Sequence, residues 1–311
     1  MNPLDLPKLS PRRALGRTGF VVTAIGAGDL ADRTQSVEQC ANTLRAALDA
    51  GINLVDTAPQ YEDGYSEQVV GAALKGRREG VFVVDKIDHF DRPVAEQVEA
   101  SLGRLGMDHV DLFLFHGVST SGAWRGLVAE GGGFDQLAQV IRQGKARFAG
   151  ISSHHPKVLR RAIDSGLCDV VMFALGAFAD RRYDKKILPR AAAKGVGTIG
   201  FKAFGSGKLL GDTEGYDRPL ENPPARPGGA AEVSLAEGPV LPHLEAQECV
   251  HYIRTLDPDV SLLGMSNVAE MRAALAAAES FGPLTPRQMD DIRKRAKAAV
   301  KGKGRCWWNP A

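Results

Sequence analysis

Residues 81–116, VFVVDKIDHFDRPVAEQVEASLGRLGMDHVDLFLFH, contain one complete unit of the fold. VFVVDK (81–86) and VDLFLFH (110–116) are short runs, almost continuously apolar, with ionisable residues near their ends. Strands covered on both faces have that pattern. Between them PVAEQVEASLGRL spaces its apolar residues as one face of a helix. The whole reads as strand, crossover helix, parallel strand.

The same rhythm extends in both directions. Apolar runs recur at VVTAIG (21–26), INLVD (52–56), ARFAGI (146–151), DVVMF (169–173), VGTIGF (196–201) and VSLLG (260–264). Helical patterns alternate with them, several stopping at a glycine such as Gly51, Gly76, Gly144, Gly166 or Gly195. Eight strand–helix units predict a closed (β/α)8 barrel of the TIM type; an open doubly wound sheet usually has fewer strands. The expectation is one domain over residues 1–311, with a core at about 14–280 and an extra C-terminal helix and tail at 283–311. Two long segments, 117–133 and 211–239, follow the fourth and seventh strands, on the catalytic face of such a barrel. The Pro- and Gly-rich 211–239 is predicted to cover the cofactor or the pocket.

Composition excludes several classes. Lys and Arg total 39 against 37 Asp and Glu, a formal charge of +2, so nothing argues for nucleic acid or an anionic membrane surface. No apolar run reaches the roughly 18 residues of a membrane span. Arg12–Arg13 is not followed by an apolar segment, so a secretory or twin-arginine signal is not expected. Cys40, Cys168, Cys249 and Cys306 are scattered, which excludes a zinc or iron–sulfur site built on Cys spacing and suits a reducing cytoplasm.

Strand alternation brings chemistry together. Ile52, Leu54 and Asp56 share a face, as do Phe82, Val84 and Lys86, and Leu112, Leu114 and His116. Each trio is apolar, apolar, ionisable, so Asp56, Lys86 and His116 are predicted to converge at the mouth of the barrel, with Tyr61 in the loop beside them. Taken singly, Asp56 reads as a turn former, Lys86 as a solvated strand end, His116 as a hydrogen-bonded interior histidine and Tyr61 as a loop aromatic. Together they suit proton donation by a phenol. Tyr has an ordinary pKa of about 10, and an ammonium held by a carboxylate stabilises its phenolate. One His and one carboxylate do not make a zinc site, and a retaining glycosidase needs paired carboxylates.

LVDTAPQYEDGYSEQVVGAALKG (54–76) resembles the aldo-keto reductase signature: Asp, then Tyr, then a Ser-Glu pair opening a helix. VFVVDK, HVDLFLFH, ARFAGISS and GVGTIGFKAFGSGKLLG follow in that family's order, over roughly residues 14–280. The resemblance implies hydride transfer between NADP(H), or NAD(H), and an aldehyde, ketone or alcohol, without metal. By position it makes Tyr61 the general acid, Lys86 its modulator, Asp56 the partner of Lys86 and His116 the group orienting the substrate carbonyl. Ser152 and Ser153 would take the carboxamide, Phe201 would stack on the nicotinamide, and Lys202, Gly205 and Lys208 would face the pyrophosphate. Gly264, Ser266, Asn267 and Arg272 would meet the adenosine end. Met172 stands where the family has a carboxamide-binding Gln, and Glu270, Ala273 and Ala274 depart from its adenosine pattern. The wording is closest to a branch that often carries a C-terminal ferredoxin-like cluster, but GRCWWNPA keeps only Cys306, so no Fe–S cluster is expected.

Other features have blander readings. GAGDLA (26–31) matches a Rossmann fingerprint, yet Asp29 and Asp32 would set anions against a pyrophosphate. Trp124, Trp307 and Trp308 fit either a substrate pocket or ordinary packing, and RKRAKAAVKGKGR (293–305) reads as a solvated helix face. A redox-neutral enzyme on the same barrel and a non-catalytic cofactor-sensing partner are the alternatives to a reductase. The sequence has no signal for an oligomeric state.

Overall fold

The computed structural model describes residues 6–210, 242–265, 267–304, 306 and 308–310. It opens with a hairpin of β1 (Arg13–Ala14) and β2 (Val21–Val22). Eight parallel strands follow: β3 (Ile25–Ala27), β4 (Leu54–Asp56), β5 (Phe82–Ile87), β6 (Leu112–Phe115), β7 (Phe148–Ser152), β8 (Val170–Ala174), β9 (Gly197–Phe201) and β10 (Val260–Leu263). They pair in sequence order, and β10 returns to β3 to close the barrel.

Around it run α1 (Val37–Asp49), α2 (Tyr65–Leu74), α3 (Val94–Leu105), α4 (Ser121–Leu127), α5 (Gly133–Arg142), α6 (Pro156–Ser165), α7 (Leu188–Ala193), α8 (Ala246–Leu256), α9 (Val268–Glu279) and α10 (Pro286–Ala299). Local chemistry starts them: Ser36 with Gln39 and Thr285 with Gln288 form capping boxes at α1 and α10. Among the described residues no helix is long and apolar enough to cross a membrane.

Alternation divides the core as the sequence implies. Leu54, Phe82, Val84, Leu112, Leu114 and Val170 fill the barrel, while Val55, Val83, Phe113 and Phe115 pack outward against the helices. Each such buried side chain contributes about 1.5–3 kcal/mol. Leu15 and Val22 of the hairpin join the inner cluster at 0% exposure, closing the end where the strands begin. Gly16 makes this docking possible. Its φ is +47°, and a Cβ there would lie 2.1 Å from the Gly197 amide nitrogen.

Two expectations need correction. VVTAIG is not one strand: Thr23 donates its hydroxyl to the Ile25 carbonyl (2.7 Å) and its amide to Asn53 Oδ1 (2.8 Å), so the run breaks between β2 and β3. Ile52 packs in the outer cluster because β4 begins only at Leu54. Segment 117–133 contains α4, whose Trp124 and Leu127 are buried despite two glycines. The segment 211–239, with its predicted covering role, lies outside the described residues, as do Ser266 and Trp307.

Candidate active site

Asp56 ends β4, Lys86 lies one residue before the end of β5, and His116 directly follows β6. Lys86 Nζ donates to Asp56 Oδ1 at 2.7 Å and to the Thr57 carbonyl at 2.6 Å. The two side chains are 0% and 1% exposed. Burial works against the Lys86 ammonium, but Asp56 and then Tyr61 outweigh it and hold the pKa above its ordinary value. Burial raises the Asp56 carboxyl, with Lys86 opposing.

Tyr61 is half-buried at the rim. The Lys86 ammonium stands 4.4 Å from its ring centroid, and the His116 ring meets it edge-on at 5.7 Å. The sequence reading expected Lys86 to lower the phenol's pKa. In the structure desolvation wins: the pKa is raised, Lys86 opposing and Asp56 adding to the rise. The loop carrying Tyr61 bends through two left-handed non-glycine residues, Glu62 (φ 51°) and Asp63 (φ 52°). Arg33 pins it there, donating to the Glu62 carbonyl through Nε (3.1 Å) and Nη2 (2.6 Å). Such strain persists only where the surroundings over-determine it.

Asp88 is a residue the sequence reading missed. Its Oδ1 is hydrogen-bonded to His116 Nδ1, and its Oδ2 accepts from the Gln60 amide at 2.9 Å, beside Tyr61. The side chain is 2% exposed. The signal was present: Asp88 is two residues past Lys86, in step with the alternation of β5 and just beyond its end at Ile87.

Next to this group lie the ends of β7 and β9. Ser152 and Ser153 are buried; Ser152 Oγ accepts from the Gly117 amide at 2.8 Å and Ser153 Oγ from the His155 amide at 3.0 Å. Phe201 is half-buried, and His154, a second missed neighbour, presents its ring edge-on to it at 5.4 Å. Burial, with Lys202 and His116 adding, pushes the His154 pKa down to about 3 and keeps the ring neutral. Met172 lies in the inner apolar cluster.

The remaining site residues follow the paired strands β9 and β10. Lys202 and Gly205 lie in the turn after β9, both with positive φ. Lys208 lies further along the same turn. Its side chain is fully buried, its ammonium donates to the Lys303 carbonyl, and burial lowers its pKa. Gly264 is half-buried after β10. Asn267 caps α9, accepting from the Glu270 amide at 2.9 Å and donating to Glu270 Oε1 at 3.1 Å; Arg272 is exposed on α9. Trp124 and Trp308 are buried, at 5% and 1% exposure. Among the described residues no group of three or more His, Cys, Asp or Glu side chains could hold a metal.

The chain belongs to the aldo/keto reductase family, whose model matches residues 24–297. It is 40% identical over 113 residues to methylglyoxal reductase YeaE of Escherichia coli K12, covering 35% of this chain and 37% of that one. To the aldo-keto reductase YhdN of Bacillus subtilis 168 it is 29% identical over 230 residues, 65% of each. The match to Arabidopsis thaliana L-galactose dehydrogenase, at 27% identity, covers 87% of this chain and 89% of that one. The matches thus span 37% and 65% of the length of the first two relatives. An aldo-keto reductase from Bacillus halodurans, in its holo form, shares the fold at a TM-score of 0.69 and 24% identity, over 96% of this chain and 99% of that one. One from Klebsiella pneumoniae in complex with NADPH does so at 0.68 and 21%, over 92% and 95%.

Proposed function

We propose that this protein is an NAD(P)H-dependent oxidoreductase that reduces an aldehyde or ketone, or oxidises the matching alcohol, with Tyr61 as general acid. The observation that carries this reading is the buried Lys86–Asp56 ion pair set against the Tyr61 ring. A raised pKa keeps the phenol protonated through neutral pH, so it can donate to a carbonyl oxygen. The phenolate that remains is stabilised by the adjacent ammonium. His116, tethered by Asp88 at Nδ1, would meet the substrate oxygen through Nε2, donating to a carbonyl as the doubly protonated ring and accepting from an alcohol hydroxyl as the neutral one.

The dinucleotide, when bound, supplies or takes up the hydride. Ser152 and Ser153 would hold its carboxamide, Phe201 its ring face, and the turn at 202–210 its phosphates. That turn suits an anion: Lys202, Gly205, Ser206 and Gly207 all have positive φ, and such turns converge backbone N–H groups. Gly264, Asn267 and Arg272, with Ser266, would meet the adenosine end. Arg272 is the cation suited to a 2′-phosphate, which favours NADPH over NADH. The relatives' names suggest small 2-oxoaldehydes and hydroxylated aldehydes as first substrates. Four free cysteines agree with a cytoplasmic setting.

Titration of nicotinamide fluorescence with NADPH and NADH, followed by turnover of methylglyoxal with the reduced nucleotides and of L-galactose with NADP+ and NAD+, tests the reading. We expect NADPH to bind more tightly and at least one substrate to turn over. Binding of neither nucleotide at millimolar concentration overturns the reading; a preference for NADH overturns only the choice of cofactor.

A further inference from the structure

Segments about a hundred residues apart in the chain are cross-braced beside the turn at 202–210. Lys303 Nζ donates to the Lys208 carbonyl at 2.8 Å, and Lys208 Nζ donates back to the Lys303 carbonyl. Both side chains are buried. Further along the tail, Trp308 Nε1 and Asn309 Nδ2 donate to the Phe178 carbonyl at 3.2 and 3.0 Å. Asn309 Oδ1 accepts from the Asp180 amide at 2.9 Å, and the Tyr183 hydroxyl donates to the Trp308 carbonyl at 3.3 Å. The tail therefore ties the loop after β9 to the loop after β8.

The loop after β9 needs such support. Lys202 and Ser206 are L residues held at φ 69° and 55°, and the glycines Gly205 and Gly207 are left-handed too. A backbone of this kind persists only where its surroundings over-determine it. Here the tail supplies the surroundings. A Cβ on Gly205 would lie 3.7 Å from the Trp308 ring, and the Lys202 and Lys208 ammoniums stand 5.9 and 6.0 Å from it.

We propose that the C-terminal tail, through Lys303, Trp308 and Asn309, braces the turn at 202–210 in its phosphate-binding conformation, making these three positioning residues for the dinucleotide. This rests on the reading of 202–210 as the phosphate loop. The brace differs from a general contribution to stability, because its loss is local: the turn relaxes while the barrel and the Tyr61 group stay in place.

Lys303→Met and Asn309→Ala test it by NADPH titration, kcat at saturating NADPH, and hydrogen exchange of 202–210 in the nucleotide-free protein. Each is expected to weaken NADPH binding by about tenfold, the effect of losing one or two hydrogen bonds, with kcat within about threefold of wild type. Exchange should quicken in 202–210 and not in peptides from β5 and β6. Unchanged exchange in 202–210 overturns the brace, and so does quickening spread evenly over the barrel with a lower Tm. If Lys303→Met does not fold, Asn309→Ala leaves the lysine pair intact and gives the same readouts. Should the wild type bind no nucleotide, the oxidoreductase reading fails, and the exchange data still decide whether the tail holds the turn.

Discussion

Lys86 and Asp56 meet at 2.7 Å with almost no exposure, so each ion has lost its water and is compensated by the other. Lys86→Met would leave Asp56 buried and uncompensated. The expected loss is about 3–5 kcal/mol of stability, read as a shift in urea midpoint. Adding Asp56→Leu should recover much of that loss without restoring turnover. An unchanged midpoint in Lys86→Met would show that the two charges do not depend on each other.

Tyr61→Phe should lower turnover by about 10²–10⁴-fold while nucleotide affinity stays within twofold or so. The pH dependence follows from the raised pKa of the phenol, which desolvation causes and Lys86 opposes. Reduction uses the protonated phenol, so its rate should not fall through neutral and mildly alkaline pH on account of Tyr61. Alcohol oxidation uses the phenolate, so its rate should climb with pH over the same range. Rate profiles in both directions check this, and an oxidation rate that falls with rising pH would contradict the assignment.

Asp88→Asn keeps the shape of the side chain but removes the charge that tethers His116 Nδ1. A charge-assisted hydrogen bond is worth about 1.5–3 kcal/mol. If the tether serves the transition state, kcat/KM for the carbonyl should drop about ten- to a hundredfold with nucleotide affinity unchanged. Equal kcat/KM in the two proteins would reduce Asp88 to a support for the Gln60 turn.

Gly16→Ala probes the closed end of the barrel. The new methyl meets the Gly197 amide nitrogen at 2.1 Å on a backbone already at φ +47°. Overpacking costs about 1–3 kcal/mol, and the left-handed backbone adds about 1–2 more. Thermal unfolding should show a clear fall in Tm; wild-type Tm would mean that the hairpin can shift without cost.

How much could be read from the sequence varies with range. Asp56, Lys86 and His116 were legible because strand alternation is a local rule and each closes an apolar face. Asp88 obeyed the same rule, but the reading stopped where the apolar run stopped. Thr23 broke the first run through its own hydroxyl, a side-chain bond that hydropathy does not register. The α4 helix was missed because SGAWRGL has two glycines; its Thr120 cap (3.1 Å) and the packing of Trp124 on Phe134 (5.7 Å) override propensity. The burial of Lys208 has a long-range cause. The group that receives its ammonium is the carbonyl of Lys303, 95 positions away, and nothing near Lys208 announces it.

The hairpin under the barrel has a consequence for proton traffic. Leu15 and Val22 stop one end, and an inner cluster of hydrocarbon stands between them and Lys86. If Tyr61 is the acid, as proposed, the proton it releases is replaced at the rim, by the same doorway that admits the substrate. Reloading the acid and exchanging the ligand then compete for one opening. Anything that narrows that doorway slows both, whether a bulky product or a closing segment of chain.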